Sequence, residues 1–127
     1  MTSPTPPVGL ALEAEDGKLV VLARSARLRA YTSAGQPAEG AAVRDTDGRT
    51  YAAATVSHTR PELATSALRA AVVAAASSGA RRFEAAVVVT EAAEAAADDL
   101  AMLAEFGAGV PLYLAGPDGV ARTRTSS

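Results

Sequence analysis

The sequence contains no cysteine and a single histidine, His58. Tightly bound zinc takes three or four well-placed donors, chiefly thiolates, imidazoles and carboxylates. A metal site built from thiolates is therefore excluded, and one histidine is too few to take its place. The lack of cysteine neither requires nor excludes any redox compartment.

Aromatic residues and long apolar runs are also scarce. Aromatics make up 4% of the chain against 49% for all hydrophobic residues, so the core must be built from Ala, Val and Leu. The longest apolar stretch, around Ala70 to Ala76, is far shorter than the roughly 20 residues that span a bilayer. The segment from Met1 to Pro7 lacks the basic start and apolar centre of a secretory signal. We expect a disordered lead over residues 1–9 and a cytoplasmic protein without membrane contact.

The charge balance offers no surface for nucleic acid. The formal net charge is -2 and the isoelectric point is about 5.3, whereas nucleic-acid binding usually requires a clustered basic surface. Arg24, Arg27 and Arg29 lie close together on a predicted helix, where a solvated face explains them. We expect no nucleic-acid partner.

A length of 127 residues suits one domain, which we place at residues 10–122, followed by a polar tail at residues 123–127. Apolar positions at three- and four-residue spacing predict a helix from Leu10 to about Ala30, with an interruption near Gly17. Asp45-Thr46-Asp47-Gly48 between two short apolar runs predicts a β-hairpin. A second helix is predicted from Glu62 to Ser78, with Gly79 ending it.

The second half of the chain alternates strands and a helix. Ala85 to Val89 is an apolar run typical of a strand buried on both faces. A third helix is predicted from Glu94 to Phe106, with Asp98 and Asp99 as solvated residues of its first turns. Two strands follow, Val110 to Ala115 and Gly119 to Arg122. This order predicts an α/β fold in which helices cover both faces of a mixed five-stranded sheet.

Several short strings, taken together, resemble the cytidine deaminase family. They occur in the family's order and cover roughly Leu19 to Ala121. The strings are Ala30-Tyr31, Gly40-Ala41-Ala42, Asp47-Gly48, Leu103-Ala104-Glu105-Phe106-Gly107, Pro111-Leu112-Tyr113-Leu114 and Pro117-Asp118-Gly119. The resemblance implies a three-layer α/β/α cytidine deaminase-like fold.

The same resemblance implies a zinc site that this chain lacks. In the family, three Cys or His ligands hold a zinc ion that activates water, and a glutamate moves the proton. The positions of the first ligand and the glutamate fall at Ser66 and Leu68, and those of the other two ligands at Ala96 and Asp99. Serine is a poor zinc ligand and leucine has no proton to move. We expect an active site converted into core, with alanines 95 to 97 filling space, and no cofactor.

The family's substrate contacts are reduced as well. The positions of its ribose-binding Asn and Glu fall at Thr55 and Ser57, and that of its base-stacking Phe falls at Pro37. His58 follows Ser57, and a substitute metal site of His58, Ser66 and Asp99 offers only one good donor. We expect His58 to be an exposed residue or one bonded to the backbone.

Three functional hypotheses follow. In the first, the chain is catalytically inactive and acts through protein contacts, as a dimer, as a tetramer or with an unidentified protein partner. In the second, a reduced pocket with contacts from Thr55, Ser57, His58 and Pro37 binds a nucleoside-like molecule. In the third, the chain is an enzyme with altered chemistry, with residual cytidine deamination as its least favoured form.

Overall fold

Three helices and five strands are present in the computed structural model, which describes residues 9–33 and 35–127. The helices are α1 (Ala14–Arg27), α2 (Ala67–Ser77) and α3 (Ala97–Ala104). The strands are β1 (Gly40–Asp45), β2 (Thr50–Ala54), β3 (Phe83–Val89), β4 (Pro111–Ala115) and β5 (Ala121–Ser126). Apart from Gly9, the predicted lead over residues 1–9 lies outside the described residues. Among the helices of the described ranges, none has a stretch with the length and hydrophobicity needed to span a bilayer.

The strands form one mixed sheet with the order β2-β1-β3-β4-β5. β1 and β2 make the predicted hairpin, and Gly48 in its turn has a φ of 84°, a conformation that glycine adopts without strain. β3 pairs antiparallel with β1 and parallel with β4. Because β3 is central and covered on both faces, its apolar run Ala85 to Val89 is buried throughout, as predicted.

Helices cover both faces of the sheet, which confirms the predicted three-layer architecture. On one face α1 packs through Leu19, Val20 and Ala23 against alternate residues of β1 and β3. On the other face α2 and α3 pack through residues such as Leu68 and Leu103 against the remaining set. Alternation of side chains along each strand divides the core in this way.

Several element boundaries differ from the sequence prediction. α1 runs through Gly17 without interruption. The expected start of α2 at Glu62 is wrong: a 3-10 turn covers Pro61–Leu63, and α2 begins only after Ser66. α3 begins at Ala97 instead of Glu94. β5 continues to Ser126, through residues expected to form a polar tail, because its backbone pairs with β4 whatever its side chains.

Candidate functional site

The N-terminus of α2 is organised by Ser66. Ser66 has extended backbone angles, with φ -69° and ψ 155°, and its Oγ accepts a hydrogen bond from the backbone N–H of Arg69. This is the usual capping interaction at a helix start, which satisfies a backbone donor that the helix leaves unpaired. Two residues further on, the Leu68 side chain is fully buried in the core between α2 and the sheet.

Ser66 also connects α2 to α3. Its Oγ donates a hydrogen bond to Asp99 Oδ1 at 2.6 Å, and Arg69 Nε donates to Ser66 Oγ at 3.1 Å. Arg69 Nε lies 3.8 Å from Asp99 Oδ1. We call Ser66, Arg69 and Asp99 the interhelix cluster. Asp99 is buried, so its expected placement as a solvated first-turn residue is wrong, and the bond from Ser66 gives the reason.

Two of the three alanines around the start of α3 do not fill the interior. Ala96 is the N-cap residue of α3 and is exposed, as is Ala97, while Ala95 is half-buried. A cavity of about 110 Å³ remains beside them. Its lining includes Ala95, Ala96 and Asp99, together with Glu39 and Thr90. The expectation that alanines 95 to 97 occupy the space is therefore wrong for Ala96 and Ala97, whereas Ala95 packs against the core.

Glu39 and Thr90 were not singled out by the sequence analysis. Buried Thr90 donates from Oγ1 to Glu39 Oε2 at 2.5 Å and accepts from the backbone N–H of Ala92 at 3.0 Å. The two residues lie at the ends of neighbouring strands, Glu39 just before β1 and Thr90 just after β3. A polar residue directly after a buried strand was the one signal available in the sequence.

The residues that the resemblance assigns to substrate contacts differ in exposure and in hydrogen bonding. Thr55 Oγ1 accepts from the Glu39 backbone N–H at 3.0 Å and donates to the Glu39 carbonyl oxygen at 3.2 Å. Ser57 is buried, and its Oγ accepts from the Ser33 backbone N–H at 3.1 Å. Pro37 and His58 are exposed. The hydroxyl groups of Thr55 and Ser57 thus bind backbone groups of the neighbouring segment that contains Ser33 and Glu39.

His58 lies beside Tyr31, with ring centroids 6.1 Å apart. Within the described ranges, no group of three or more His, Cys, Asp or Glu side chains is placed to hold a metal ion. Of the three residues of the substitute metal site, His58, Ser66 and Asp99, only Ser66 and Asp99 are joined by a hydrogen bond.

A comparison with protein-family models gives one match, described as cytidine deaminase-like, over residues 12–119. The chain belongs to the cytidine deaminase-like family. No curated protein sequence matches this family member.

Solved structures of cytidine deaminases are similar to this cytidine deaminase-like chain. The enzyme from Burkholderia pseudomallei is 27% identical with a TM-score of 0.78, and the alignment covers 86% of this chain and 90% of the enzyme. The enzyme from Mycobacterium tuberculosis is 26% identical with a TM-score of 0.72, and the alignment covers 87% of this chain and 90% of the enzyme. The Mycobacterium leprae enzyme, at 22% identity, has a TM-score of 0.71 over 90% and 94% and supports the fold alone.

The zinc ion that the resemblance implies does not fit the donors at this place. A serine hydroxyl has one donor and two acceptor positions. Ser66 Oγ uses its hydrogen on Asp99 and accepts from both the backbone N–H and the Nε–H of Arg69, so its capacity is full. Ala96 has no donor atom, and this cytidine deaminase-like chain contains no cysteine. Asp99 alone is left, and one carboxylate does not make a zinc site.

Proposed function

We propose that this chain is a non-catalytic member of the cytidine deaminase-like family that acts through protein contacts, in the cytoplasm, as a homo-oligomer or with a protein partner. The observation that carries the proposal is the pair of replacements at the start of α2. Leu68, at the position that the resemblance assigns to the proton-transferring glutamate, is fully buried. Ser66 and Asp99, at positions that the resemblance assigns to metal ligands, are hydrogen-bonded to each other. A leucine can neither donate nor accept the proton that deamination requires.

The geometry gives less support to a nucleoside-binding module. The cavity beside Asp99 has a volume of about 110 Å³, below the range of about 300–1,000 Å³ that is usual for pockets that hold small organic ligands. The adjoining depression of about 320 Å³, which shares Glu94, Ala95 and Leu114 with it, is not lined by Pro37, Thr55, Ser57 or His58. The hydroxyls of Thr55 and Ser57 are already bonded to backbone groups. Thr55 Oγ1 already donates its hydrogen to the Glu39 carbonyl oxygen, so only one acceptor position is left there for a nucleoside. Ser57 Oγ keeps its hydrogen, but Ser57 is buried.

The experiment that tests the proposal combines an activity assay with elemental analysis of the purified full chain. We expect no deamination of cytidine or deoxycytidine above the buffer rate, followed by ultraviolet absorbance, and zinc far below one ion per chain. Deamination together with stoichiometric zinc would show that the proposal is wrong. The same assay on a cytidine deaminase with intact ligands serves as the positive control.

Restoring the family's glutamate provides a second test. We expect Leu68→Glu to lower the free energy of unfolding by about 3 kcal/mol or more, because a carboxyl group would be buried without a partner. Leu68→Met, which keeps an apolar side chain of similar volume, should change it by less than about 1.5 kcal/mol. Urea denaturation of both variants measures the difference. A stable Leu68→Glu variant with deaminase activity would contradict the proposed role of this position.

A further inference from the structure

Arg24 and Arg27, in the last turn of α1, are held in place by the backbone of two other segments. Arg24 Nε donates to the Pro117 carbonyl oxygen at 2.8 Å, and Arg27 Nε donates to the Ala38 carbonyl oxygen at 3.0 Å. Pro117 belongs to the turn between β4 and β5, and Ala38 precedes β1. Each guanidinium carries five N–H groups and donates one of them through Nε. The four N–H groups on its two terminal nitrogens are left for another acceptor.

Neither arginine has a carboxylate partner. None of the ion pairs among the described residues includes either of them. Residues 1–8 and 34, outside the described ranges, contain no Asp or Glu. Arg44, by contrast, lies against two carboxylates. Two positive charges are thus left without a counter-charge at one place on the surface.

A groove with a volume of about 400 Å³ runs between α1 and the turn that contains Pro117. We call it the arginine groove; its lining residues are Val21, Arg24, Ser25, Arg27, Leu28 and Pro117. Val21 is 67% exposed and Leu28 is 83% exposed, so apolar side chains lie at the surface beside the two arginines. Arginine is enriched in protein interfaces, where its planar fork binds a carboxylate through two parallel hydrogen bonds.

We propose that the arginine groove binds an extended acidic segment of a partner protein. Residues three apart on a helix have Cβ atoms about 5–6 Å apart, and side chains two apart on one face of an extended segment are about 6.4–6.8 Å apart. Two glutamates in the order Glu-x-Glu therefore match Arg24 and Arg27, and an apolar side chain two positions further on contacts Val21 or Leu28. The inference rests on the proposed function, because it names the chemical class of the partner that a non-catalytic chain would contact.

Peptide binding to the full chain tests the charge match. The probe is a short fluorescein-labelled peptide with two glutamates in the order Glu-x-Glu and a leucine two positions further on. We expect it to bind with a dissociation constant of about 100 μM at low salt. A control peptide with glutamine in place of both glutamates should bind at least about tenfold more weakly, because it forms no charge-assisted hydrogen bonds. Fluorescence anisotropy measures both constants. Equal binding of the two peptides overturns the proposal, as does no binding of the glutamate peptide up to about 1 mM.

Substitution of the arginines tests the site. Arg24→Gln and Arg27→Gln should each weaken binding of the glutamate peptide about tenfold. Arg24→Lys keeps the charge but lacks the planar fork, and should weaken binding about threefold. Arg81→Gln is the matched control and should leave binding unchanged, since Arg81 also donates to backbone carbonyl oxygens, those of Ala76 and Ala80, but lies outside the arginine groove. Circular dichroism checks that each variant is folded. Glutamine variants that bind the peptide like the parent overturn the proposal.

Leu28→Glu tests the arginine groove without changing either arginine. Because Leu28 is 83% exposed, the variant should fold. Its carboxylate repels the glutamates of the peptide and competes for the guanidiniums, so binding should weaken about tenfold. Val73→Glu, at a position of α2 that is 49% exposed, should have no effect. A Leu28→Glu variant that binds like the parent contradicts the placement of the segment.

Competition separates a protein partner from other anions. Inorganic phosphate and a single-stranded oligonucleotide are each titrated against the bound glutamate peptide. We expect neither to displace the peptide at an equal concentration. An oligonucleotide that binds more tightly than the peptide, and more weakly to Arg24→Gln, overturns the proposal and assigns the arginine groove to nucleic acid. Phosphate that displaces the peptide at an equal concentration overturns it in favour of a small anion.

This proposal and the proposed function fail separately. A chain that does not bind the glutamate peptide and does not deaminate cytidine overturns the arginine groove as a partner site and leaves the absence of catalysis standing. A chain that binds the glutamate peptide, carries zinc and deaminates cytidine does the reverse.

Discussion

A single serine hydroxyl caps one helix and connects it to another. Ser66 Oγ stabilises the start of α2 by accepting from Arg69, and it ties that start to α3 by donating to Asp99. The interhelix cluster therefore joins the two helices to which the resemblance assigns metal ligands. A hydrogen bond to a charged group contributes about 1.5–3 kcal/mol, which is far less than a structural zinc ion supplies.

We expect Asp99→Ala to lower the free energy of unfolding by about 2 kcal/mol, because the substitution leaves Ser66 Oγ without its acceptor and Arg69 without its carboxylate. Asp98→Ala is the matched control. It changes an exposed carboxylate in the same first turn of α3 and should have an effect below about 0.5 kcal/mol. Urea denaturation monitored by circular dichroism gives both values. Equal effects of the two substitutions would contradict a structural role for the interhelix cluster.

For single residues, the sequence showed which side chains occupy the candidate site but did not show whether they are buried or what they contact. The resemblance drew attention to Ser66 and Leu68, since it assigns these positions to a metal ligand and to a proton-transferring glutamate, and the side chains present are a hydroxyl and an isobutyl group. It did not predict the burial of Asp99, because an acidic residue in the first turn of a helix normally faces water. The bond from Ser66 connects residues 33 positions apart, and no local pattern encodes such a contact.

Among the elements, α1 lies unusually close to the sheet at Gly40, the first residue of β1. A Cβ atom built on Gly40 would overlap the carbonyl oxygen of Ala23 and lie 2.6 Å from the backbone nitrogen of Arg27. Both atoms belong to the backbone of α1, so no side chain can turn aside to make room. The missing side chain therefore sets the distance between the α1 layer and the sheet.

Gly40→Ala should lower the free energy of unfolding by about 2–3 kcal/mol, because the helix must move away from the strand that it covers. Gly17→Ala within α1 is the control with the opposite sign. A Cβ at Gly17 meets nothing within 4 Å, and alanine favours a helix over glycine by about 0.5–1 kcal/mol. Thermal unfolding should give a melting temperature below that of the parent for Gly40→Ala and above it for Gly17→Ala. A Gly40→Ala variant at least as stable as the parent would refute the close approach.

Helices and strands were predicted correctly from the sequence where a short continuous stretch of residues determines the structure. The Asp-Gly turn predicted the β1–β2 hairpin, and the apolar run predicted β3. The prediction failed at the start of α2, where apolar spacing from Leu63 to Ala67 imitates a helix. Thr65 instead bridges to Val56, and that contact between distant segments holds the chain extended up to Ser66. The capping preference of serine was the better guide to this boundary.

At the scale of the whole molecule, Arg44 of β1 joins a covering helix to the centre of the sheet. Its Nη2 lies 2.9 Å from Asp16 Oδ1 in α1, and its Nε lies 2.7 Å from Glu84 Oε2 in β3. Burial lowers the pKa of Arg44, but the hydrogen bonds with Glu84 and Asp16 outweigh it and leave the pKa raised above its ordinary value. A raised pKa on a cation contributes stability that is lost only as the pH rises through that value. Arg44 therefore remains charged, and its contribution constant, across the neutral range.

Replacing this arginine should weaken the attachment of α1. We expect Arg44→Met to lower the free energy of unfolding by about 3 kcal/mol, because Asp16 is left buried without its cation. Arg49→Met, in the exposed β1–β2 turn, should change it by less than about 0.5 kcal/mol. Urea denaturation at pH 7, which leaves ionic interactions unscreened, measures the free energy of unfolding of both variants. An Arg44→Met variant as stable as Arg49→Met would show that the buried pair adds nothing to stability.

The central position of β3 also matters while the chain is being made. β3 pairs on one side with β1, which precedes it, and on the other with β4, which the ribosome completes only after α3. During the intervening period of roughly a few seconds, a strand that is apolar on both faces has one open edge. Open edges of this kind recruit strands from other chains. We therefore expect the newly synthesised chain to be prone to aggregation until β4 has paired with β3.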